Sequence, residues 1–258
     1  MNKLEPLFQS AYAFPDPEQA DPEHHEFIAT GADLAPQTLL HAYSIGMFPW
    51  FNEGDPIAWY SPSPRCVLYP KHYKPSKSLL REMKKSTFTV NINHAFADVI
   101  DGCAAVRSYA DSTWISSDMK QAYQQLYDLG YAISIEIYEQ NQLVGGLYGL
   151  KIGQGFFGES MFHTRTNASK MAFFVLVTLC EYSQFCWIDC QFPNEHLMSL
   201  GAEILSRRDF LQQLSIQIRK PAVDWSALYH QAVPIQTYVN KSLVLCEHDD
   251  GYALNYQH

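Results

Sequence analysis

Charge is scarce in this 258-residue chain, and positive charge scarcest of all. Only 17% of residues are charged, and 18 Lys and Arg stand against 27 Asp and Glu, for a formal net charge of −9. That balance excludes a general nucleic-acid binder, DNA included, which needs a broad basic surface. No apolar run approaches the roughly 18 residues of a membrane span, so no membrane partner is expected. Residues 1–30 lack a basic start followed by an apolar stretch, and no signal peptide is expected. The six cysteines (66, 103, 180, 186, 190 and 246) form no C-x-x-C pair and no even framework. They read as buried thiols of a reducing cytoplasm. Ten histidines are scattered, with no H-E-x-x-H and no Cys/His cluster at zinc spacing, so neither a metal nor a cofactor is expected.

What is present is concentrated. With 47% hydrophobic residues the chain can bury a large core, as one domain or as a small domain followed by a medium one. Residues 1–60 hold nine acids and one base, Lys3, whereas residues 71–85 hold Lys71, Lys74, Lys77, Arg81, Lys84 and Lys85 against Glu82 alone. One third of all Lys and Arg thus falls within fifteen residues. Such a run is either a solvated helix face or an anion-binding patch.

Patterning predicts the elements. Pro15, Pro17 and Pro22 among acids predict an extended arm over 1–26. A short helix is predicted over 36–45, with Pro36 in its first turn and Gly46 just past its end. Met47-Phe48-Pro49-Trp50-Phe51 is a packed corner or a platform for a planar ligand. Strands are predicted at 57–60, 66–69 and 87–91, with the basic helix starting at Ser76 or Ser78. Asn93 is expected to cap a helix whose Phe96, Val99, Ile100 and Cys103 fall at i, i+3, i+4 and i+7. A loop over 105–115 carries Trp114, and Ser116 or Ser117 caps a helix ending at Gly130. From Tyr131 the period becomes two. Ile133, Ile135 and Ile137 alternate with Ser134, Glu136 and Tyr138, as in a half-buried strand, and runs at 143–152 and 155–161 complete an antiparallel meander. Asn167 is expected to cap a helix, apolar nearly all round, that runs to about Tyr182, and a buried strand follows at 185–190. A short helix from Pro193 or Asn194 to near Gly201 and an amphipathic helix over 207–219 come next. Residues 221–258 read as a loosely organised tail.

The order is a mostly helical front, then helix, three strands, helix, strand, helix. It predicts an α+β fold, a mixed sheet flanked by helices and preceded by a smaller N-terminal domain. The expected divisions are 1–65 for the arm and small domain, 66–220 for the catalytic domain and 221–258 for the tail. The layout is similar to the acyl-CoA N-acetyltransferase superfold, whose members hold pyrophosphate on a glycine-rich turn at a helix N-terminus. The corresponding corner, Thr164-Arg165-Thr166-Asn167-Ala168, has no R-x-x-G-x-G/A pattern, which speaks against a CoA-dependent acyltransferase. Glu159 and Asp189 stand out, because carboxylates in strands this apolar form either a structural pair or a site.

Several segments carry a resemblance, in order over residues 12–212. They are Thr30-Gly31-Ala32-Asp33-Leu34, Ala42-Tyr43-Ser44-Ile45-Gly46-Met47-Phe48-Pro49-Trp50-Phe51, Trp59-Tyr60-Ser61-Pro62 and Thr113-Trp114-Ile115. They continue with Leu143-Val144-Gly145-Gly146-Leu147-Tyr148-Gly149, Gly158-Glu159-Ser160-Met161-Phe162, Asn167-Ala168-Ser169-Lys170, Ile188-Asp189-Cys190-Gln191 and Ser199-Leu200-Gly201-Ala202. Together they resemble the leucyl/phenylalanyl-tRNA–protein transferase family, bacterial enzymes that add leucine or phenylalanine to proteins with N-terminal Arg or Lys. The chain departs from the family pattern at Ala35, where a serine cap is usual, and at Tyr60, Ser112 and His163. The position of His163 usually holds serine, which bears on donor preference.

The resemblance implies aminoacyl transfer from a tRNA 3′ ester of Leu, Phe or Met to a protein α-amino group, marking the acceptor for degradation by the N-degron pathway. The ester is already activated, so neither ATP nor a metal is called for. It implies that Asp189 and Gln191 are central; two apart on one strand, they share a face. Asp189 acts there as a base or as an electrostatic anchor. Glu159, the third catalytic candidate, could pair with the acceptor's basic residue or with an α-ammonium. Leu147, Phe156, Met161, Phe173 and Ile188 fall at family pocket positions. Phe174 and Val177 are further apolar candidates for the donor side chain, with Asn194 counted among the substrate-binding residues. Trp50 and Trp114 could stack on the terminal adenine. Lys71, Lys74, Lys77, Arg81, Lys84 and Lys85 could receive acceptor-stem phosphates, which position an RNA without reading its sequence. A non-catalytic binder of tRNA ends or N-terminal peptides is the competing reading from another class.

Overall fold

The structure is a computed structural model that describes residues 7–19, 26–105, 114–229, 231–241, 243–248 and 251–257. In the first half of the chain the elements are β1 (Phe27–Thr30), α1 (Pro36–Ser44), β2 (Phe48–Pro49), β3 (Ala58–Tyr60), β4 (Arg65–Leu68), α2 (Lys77–Lys85), β5 (Thr89–Ile92), α3 (Phe96–Ala105) and α4 (Ser117–Asp128). Then come β6 (Ala132–Glu139), β7 (Gln142–Ile152), β8 (Gly155–His163), α5 (Ala168–Tyr182), β9 (Trp187–Gln191), α6 (Glu195–Ser199), β10 (Glu203–Leu205) and α7 (Arg207–Gln217). The last are β11 (Val233–Pro234), α8 (Gln236–Val239), β12 (Leu243–His248) and β13 (Gly251–Tyr256). Parts of the expected arm (1–6 and 20–25) and of the expected loop (106–113) lie outside the described residues.

The main sheet has eight strands in the order β10-β4-β9-β8-β7-β6-β5-β11, mixed because β8 and β9 run parallel while their neighbours are antiparallel. A three-stranded sheet β1-β3-β2 precedes it, and β12 pairs with β13. The expected mixed sheet flanked by helices is what the chain forms. One face packs Ile133, Ile135, Leu147, Phe156 and Ile188 under α5 residues such as Met171, Val175 and Leu179. The other packs Tyr148, Leu150, Phe157 and Trp187 against Leu39, Tyr43, Val99, Tyr123 and Phe210 of α1, α3, α4 and α7. Among the described residues no helix is long and apolar enough to cross a membrane.

Five local expectations differ from what is found. The front is not mostly helical, since five strands precede α3 and two of them, β4 and β5, belong to the main sheet. β6 is not half-buried: helices cover both sheet faces, and Ser134 and Glu136 are fully buried. They survive there because they serve α3. Glu136 accepts N–H from His94 and Ala95 and the Ser134 hydroxyl, doing the work expected of Asn93, whose own Oδ1 accepts from Ser134 N. Burial pushes Glu136 up to about 7 even so. Asn167 does not cap α5 with its side chain; it sits left-handed at φ 64° and donates its amide to Glu82. The described residues after 220 form a packed layer, with Trp225, Leu228, Ile235, Tyr238 and Leu254 at zero exposure and β11 extending the main sheet beside β5. The apolar anchors there fall in short runs between polar residues, too brief to carry a clear helical or strand period.

Candidate active site

β8 and β9 run together only over Gly155–Phe157 and Trp187–Asp189, and then they part. β8 continues to His163 paired with β7 alone, so its last six residues form one arm of a fork. The Gln191 amide closes the base of the fork, donating to the Gly158 carbonyl at 2.5 Å.

Both arms carry an irregularity that aims a side chain. Phe156 and Met161 lie towards α5, while Phe157 and Phe162 lie in the opposite core. Each pair is five residues apart, which strict alternation forbids. One extra residue resolves it. Pairing jumps from Gly149–Gly158 to Tyr148–Ser160, leaving Glu159 as the bulged residue. On β9 pairing jumps from Val67–Asp189 to Cys66–Gln191, leaving Cys190 over, and Gln191 adopts φ 57°. The alternation expected to set Asp189 and Gln191 on one face is therefore interrupted. They are joined instead by the Gln191 N–H, which donates to Asp189 Oδ1 at 3.0 Å.

Asp189 is fully buried and held by a partner the sequence reading missed. Arg65 of β4, 1% exposed, donates from Nε to Oδ1 at 2.8 Å and from Nη2 to Oδ2 at 2.6 Å. Its Nη1 donates to Gly46 O, and its guanidinium lies over the rings of Phe48 and Phe210 at 5.0 and 4.4 Å. Such a bidentate pair occupies both carboxylate oxygens. A signal existed: Arg65 opens the otherwise apolar run Arg-Cys-Val-Leu, and a cation there requires a buried acid.

Glu159 meets neither Arg165 nor Lys170; Arg165 bonds Glu139 at 2.9 Å. It accepts the hydroxyl of Tyr43 (α1) at 2.6 Å and of Tyr123 (α4) at 2.9 Å, and those hydroxyls lie 2.5 Å apart. Burial pushes Glu159 up to about 8, with the Asp189 charge adding, against the tyrosine hydrogen bonds and Arg65. Burial and then the Glu159 charge push both phenols well above 10. Helical spacing places Tyr43 with Leu39 and Leu40, and Tyr123 with Met119, Ala122 and Leu126, on apolar helix faces.

A pocket of about 180 Å³ opens beside this arm, lined by Met161 and Phe173 together with Tyr73, Leu79, Leu197 and Leu200, and with Lys74, Lys170 and His196. Leu147, Phe156, Val177 and Ile188 are buried in the adjoining core rather than in the lining, and Phe174 is half-buried against Tyr73. Asn194 caps α6 through Leu197 N. Trp50, 44% exposed, packs on Phe192 and Tyr60, and Phe192 packs on Phe48. One aromatic cluster thus links Trp50 to Arg65. Half-buried Trp114 precedes Ser116, the cap of the helix that carries Tyr123. Lys71, Lys74, Lys77, Arg81, Lys84 and Lys85 are all exposed, and among the described residues none is paired with a carboxylate. At the corner before α5 the Thr164 and Arg165 N–H groups both go to Val144 O, so they are already taken from any pyrophosphate.

The sequence model of a family described as leucyl/phenylalanyl-tRNA protein transferase matches residues 67–215, and that of its N-terminal domain matches 32–63. A curated leucyl/phenylalanyl-tRNA–protein transferase of Psychrobacter cryohalolentis is 48% identical over 239 residues, covering 87% of each chain. That of Shewanella pealeana is 51% identical over 215 residues, covering 83% of this chain and 91% of its own. Among solved structures, a GCN5-related N-acetyltransferase-like protein from Streptococcus suis aligns at 13% identity and a TM-score of 0.33, over 56% of this chain and 58% of that one.

Proposed function

The chain belongs to the leucyl/phenylalanyl-tRNA–protein transferase family of aminoacyltransferases, and from that premise we propose that it moves leucine or phenylalanine, and methionine to a lesser extent, from aminoacyl-tRNA to the α-amino group of proteins that begin with Arg or Lys, marking them for degradation by the N-degron pathway of the cytoplasm. The observation that carries this reading is the fork. Glu159, Gln191 and the Arg65–Asp189 pair gather there, and Met161, two residues beyond Glu159, opens into an apolar pocket with lysines in its lining.

The donor side chain enters beside Met161 and Phe173, with Leu147, Phe156, Phe174, Val177 and Ile188 forming the apolar wall behind. A flexible Met suits leucine, phenylalanine or methionine better than a β-branched chain. Trp50 and Trp114 stack on the terminal adenosine. Lys71, Lys74, Lys77, Arg81, Lys84 and Lys85 take the phosphates, and Asn194 borders the substrate. Glu159 meets the acceptor's basic N-terminal residue. The amine nitrogen attacks the ester carbonyl, the new C–N bond forms, and the bond to the ribose oxygen breaks. The amine's proton is lost, and the ribose oxygen gains one. Asp189, with both oxygens on Arg65, is an electrostatic anchor that fixes Gln191 rather than the base.

The test offers labelled Leu-, Phe- and Val-tRNA with proteins starting in Arg, Lys or Ala. Transfer of Leu and Phe to Arg and Lys starts, with Val and Ala excluded, is expected. No transfer, or transfer from an acyl-CoA only, overturns the reading.

A further inference from the structure

Three oxygen-bearing groups meet pairwise inside the protein. The Tyr43 hydroxyl lies 2.6 Å from one Glu159 oxygen, the Tyr123 hydroxyl 2.9 Å from the other, and the two hydroxyls 2.5 Å from each other. Each contact is at hydrogen-bonding distance and needs one hydrogen. The phenols supply two, and being fully buried they neither ionise near neutrality nor have a second hydrogen to give. If the carboxylate is charged, both phenols point at it, and their oxygens face each other at 2.5 Å with only lone pairs between. If the carboxyl is protonated, the count closes. The acid donates to one phenol, that phenol to the other, and the second phenol back to the carboxyl.

We propose that Glu159 is a neutral acid in the resting protein, held in a closed ring of hydrogen bonds with Tyr43 and Tyr123, and that the acceptor's cationic residue expels its proton to solvent on binding. This deepens the acceptor role given to Glu159 above and rests on it. The groups facing the carboxyl are Tyr43 from α1, Tyr123 from α4, Asp189 from β9 and Arg65 from β4, while Tyr148 from β7 lies beside the two phenols. Asp189 and Arg65 pair with one another and are together neutral, so no net positive charge attends Glu159 until an acceptor brings one. Burial accordingly pushes the carboxyl up to about 8. The bulge at Glu159 aims it into the ring, and Tyr43 and Tyr123 are positioning residues of the acceptor site. A guanidinium keeps its charge throughout this range, so binding exchanges one proton for one cation, and affinity for an Arg start rises by up to about tenfold per pH unit below the carboxyl's midpoint.

Carbon-13 NMR of protein labelled at the Glu carboxyls tests the ring without any substrate. The resonance missing from Glu159→Gln should titrate near pH 8, and a midpoint near the ordinary 4.5 overturns the proposal. Gln has the shape and donor of the neutral acid but nothing to ionise on unfolding, so Glu159→Gln should match the wild-type Tm near pH 4.5 and exceed it at pH 7; a marked drop at pH 7 shows instead that the carboxylate form was the one held. The KM for an Arg-starting peptide, measured from pH 6 to 8.5 at saturating Leu-tRNA, should fall as pH rises. A flat KM with transfer intact overturns the proton exchange and leaves the transferase reading standing. Absent transfer at every pH overturns that reading and the exchange with it, whereas a midpoint near 8 still supports the ring.

Discussion

Arg65 and Asp189 fill a space closed by Phe48 and Phe210, and neither can be removed without stranding the other. Breaking a buried pair from one side costs about 3–5 kcal/mol, because it leaves an uncompensated charge. Asp189→Ala is therefore expected to lower the urea midpoint as well as abolish transfer, so activity loss in that variant mixes chemistry with instability. Asp189→Asn keeps an oxygen for the Gln191 N–H and is the cleaner probe of the charge. Arg65→Lys should fare almost as badly as Arg65→Ala in urea, since an ammonium cannot make the two-pronged contact. Glu159 and Asp189 were legible as acids in apolar strands. Their partners were not, because Arg65 lies 124 positions from Asp189 and Tyr43 lies 116 from Glu159. Helical spacing names Tyr43 and Tyr123 as inward-facing, and nothing in that pattern distinguishes a ring aimed at carbon from one whose hydroxyl is aimed at a carboxyl.

Elements whose signals are local came out as read. Ser76 and Ser116 each accept an N–H at the start of a helix, and α2 turns its charges to water over a buried face of Leu79 and Met83. The errors came where a distant element supplies what a local rule would have supplied. Glu136 from β6 caps α3 in place of Asn93, and the cover on both faces of β6 overrides its alternation. The bulge at Glu159 was unreadable for a related reason, since Gly158-Glu159-Ser160-Met161 has no periodicity of its own and takes its phase from Phe157 on one side and Phe162 on the other. α2 is also where the tRNA proposal is tested. Lys84→Glu with Lys85→Glu should weaken tRNA binding and flatten its dependence on salt, with little effect on a minimal aminoacyl-adenosine donor. Equal loss for both donors, in filter binding across a salt series, removes α2 from the interface.

For the molecule as a whole, two desolvated carboxyls set the pH response below about pH 8. Glu136 and Glu159 have folded values of about 7 and about 8 against an ordinary 4.5. From about pH 4.5 to 8 the folded chain thus holds more protons than the unfolded one, and stability falls as pH rises. Above pH 8 the trends oppose: Lys151, half-buried against Val223 and Trp225 and pushed down to about 8 from 10.5, favours the folded chain as pH rises, whereas the thiols of Cys180, pushed up by burial, and Cys190, pushed up by the Cys66 thiol and by burial, disfavour it. Thermal midpoints should therefore fall from pH 5 to 8, and midpoints that climb steadily over that range contradict this assignment. The insertion of β4 between β9 and β10 has a further consequence, in time rather than in space. β6, β7 and β8 are neighbours in sequence and can pair as soon as they leave the ribosome, but β4 must wait for a partner more than a hundred residues later. The Arg65–Asp189 contact is a long-range one, closing a loop of 124 positions, and cannot form until β9 has been made. A nascent copy not yet made through Gln191 therefore lacks the Arg65–Asp189 pair and the fork beside it, and the candidate site is assembled only after most of the sheet has been synthesised.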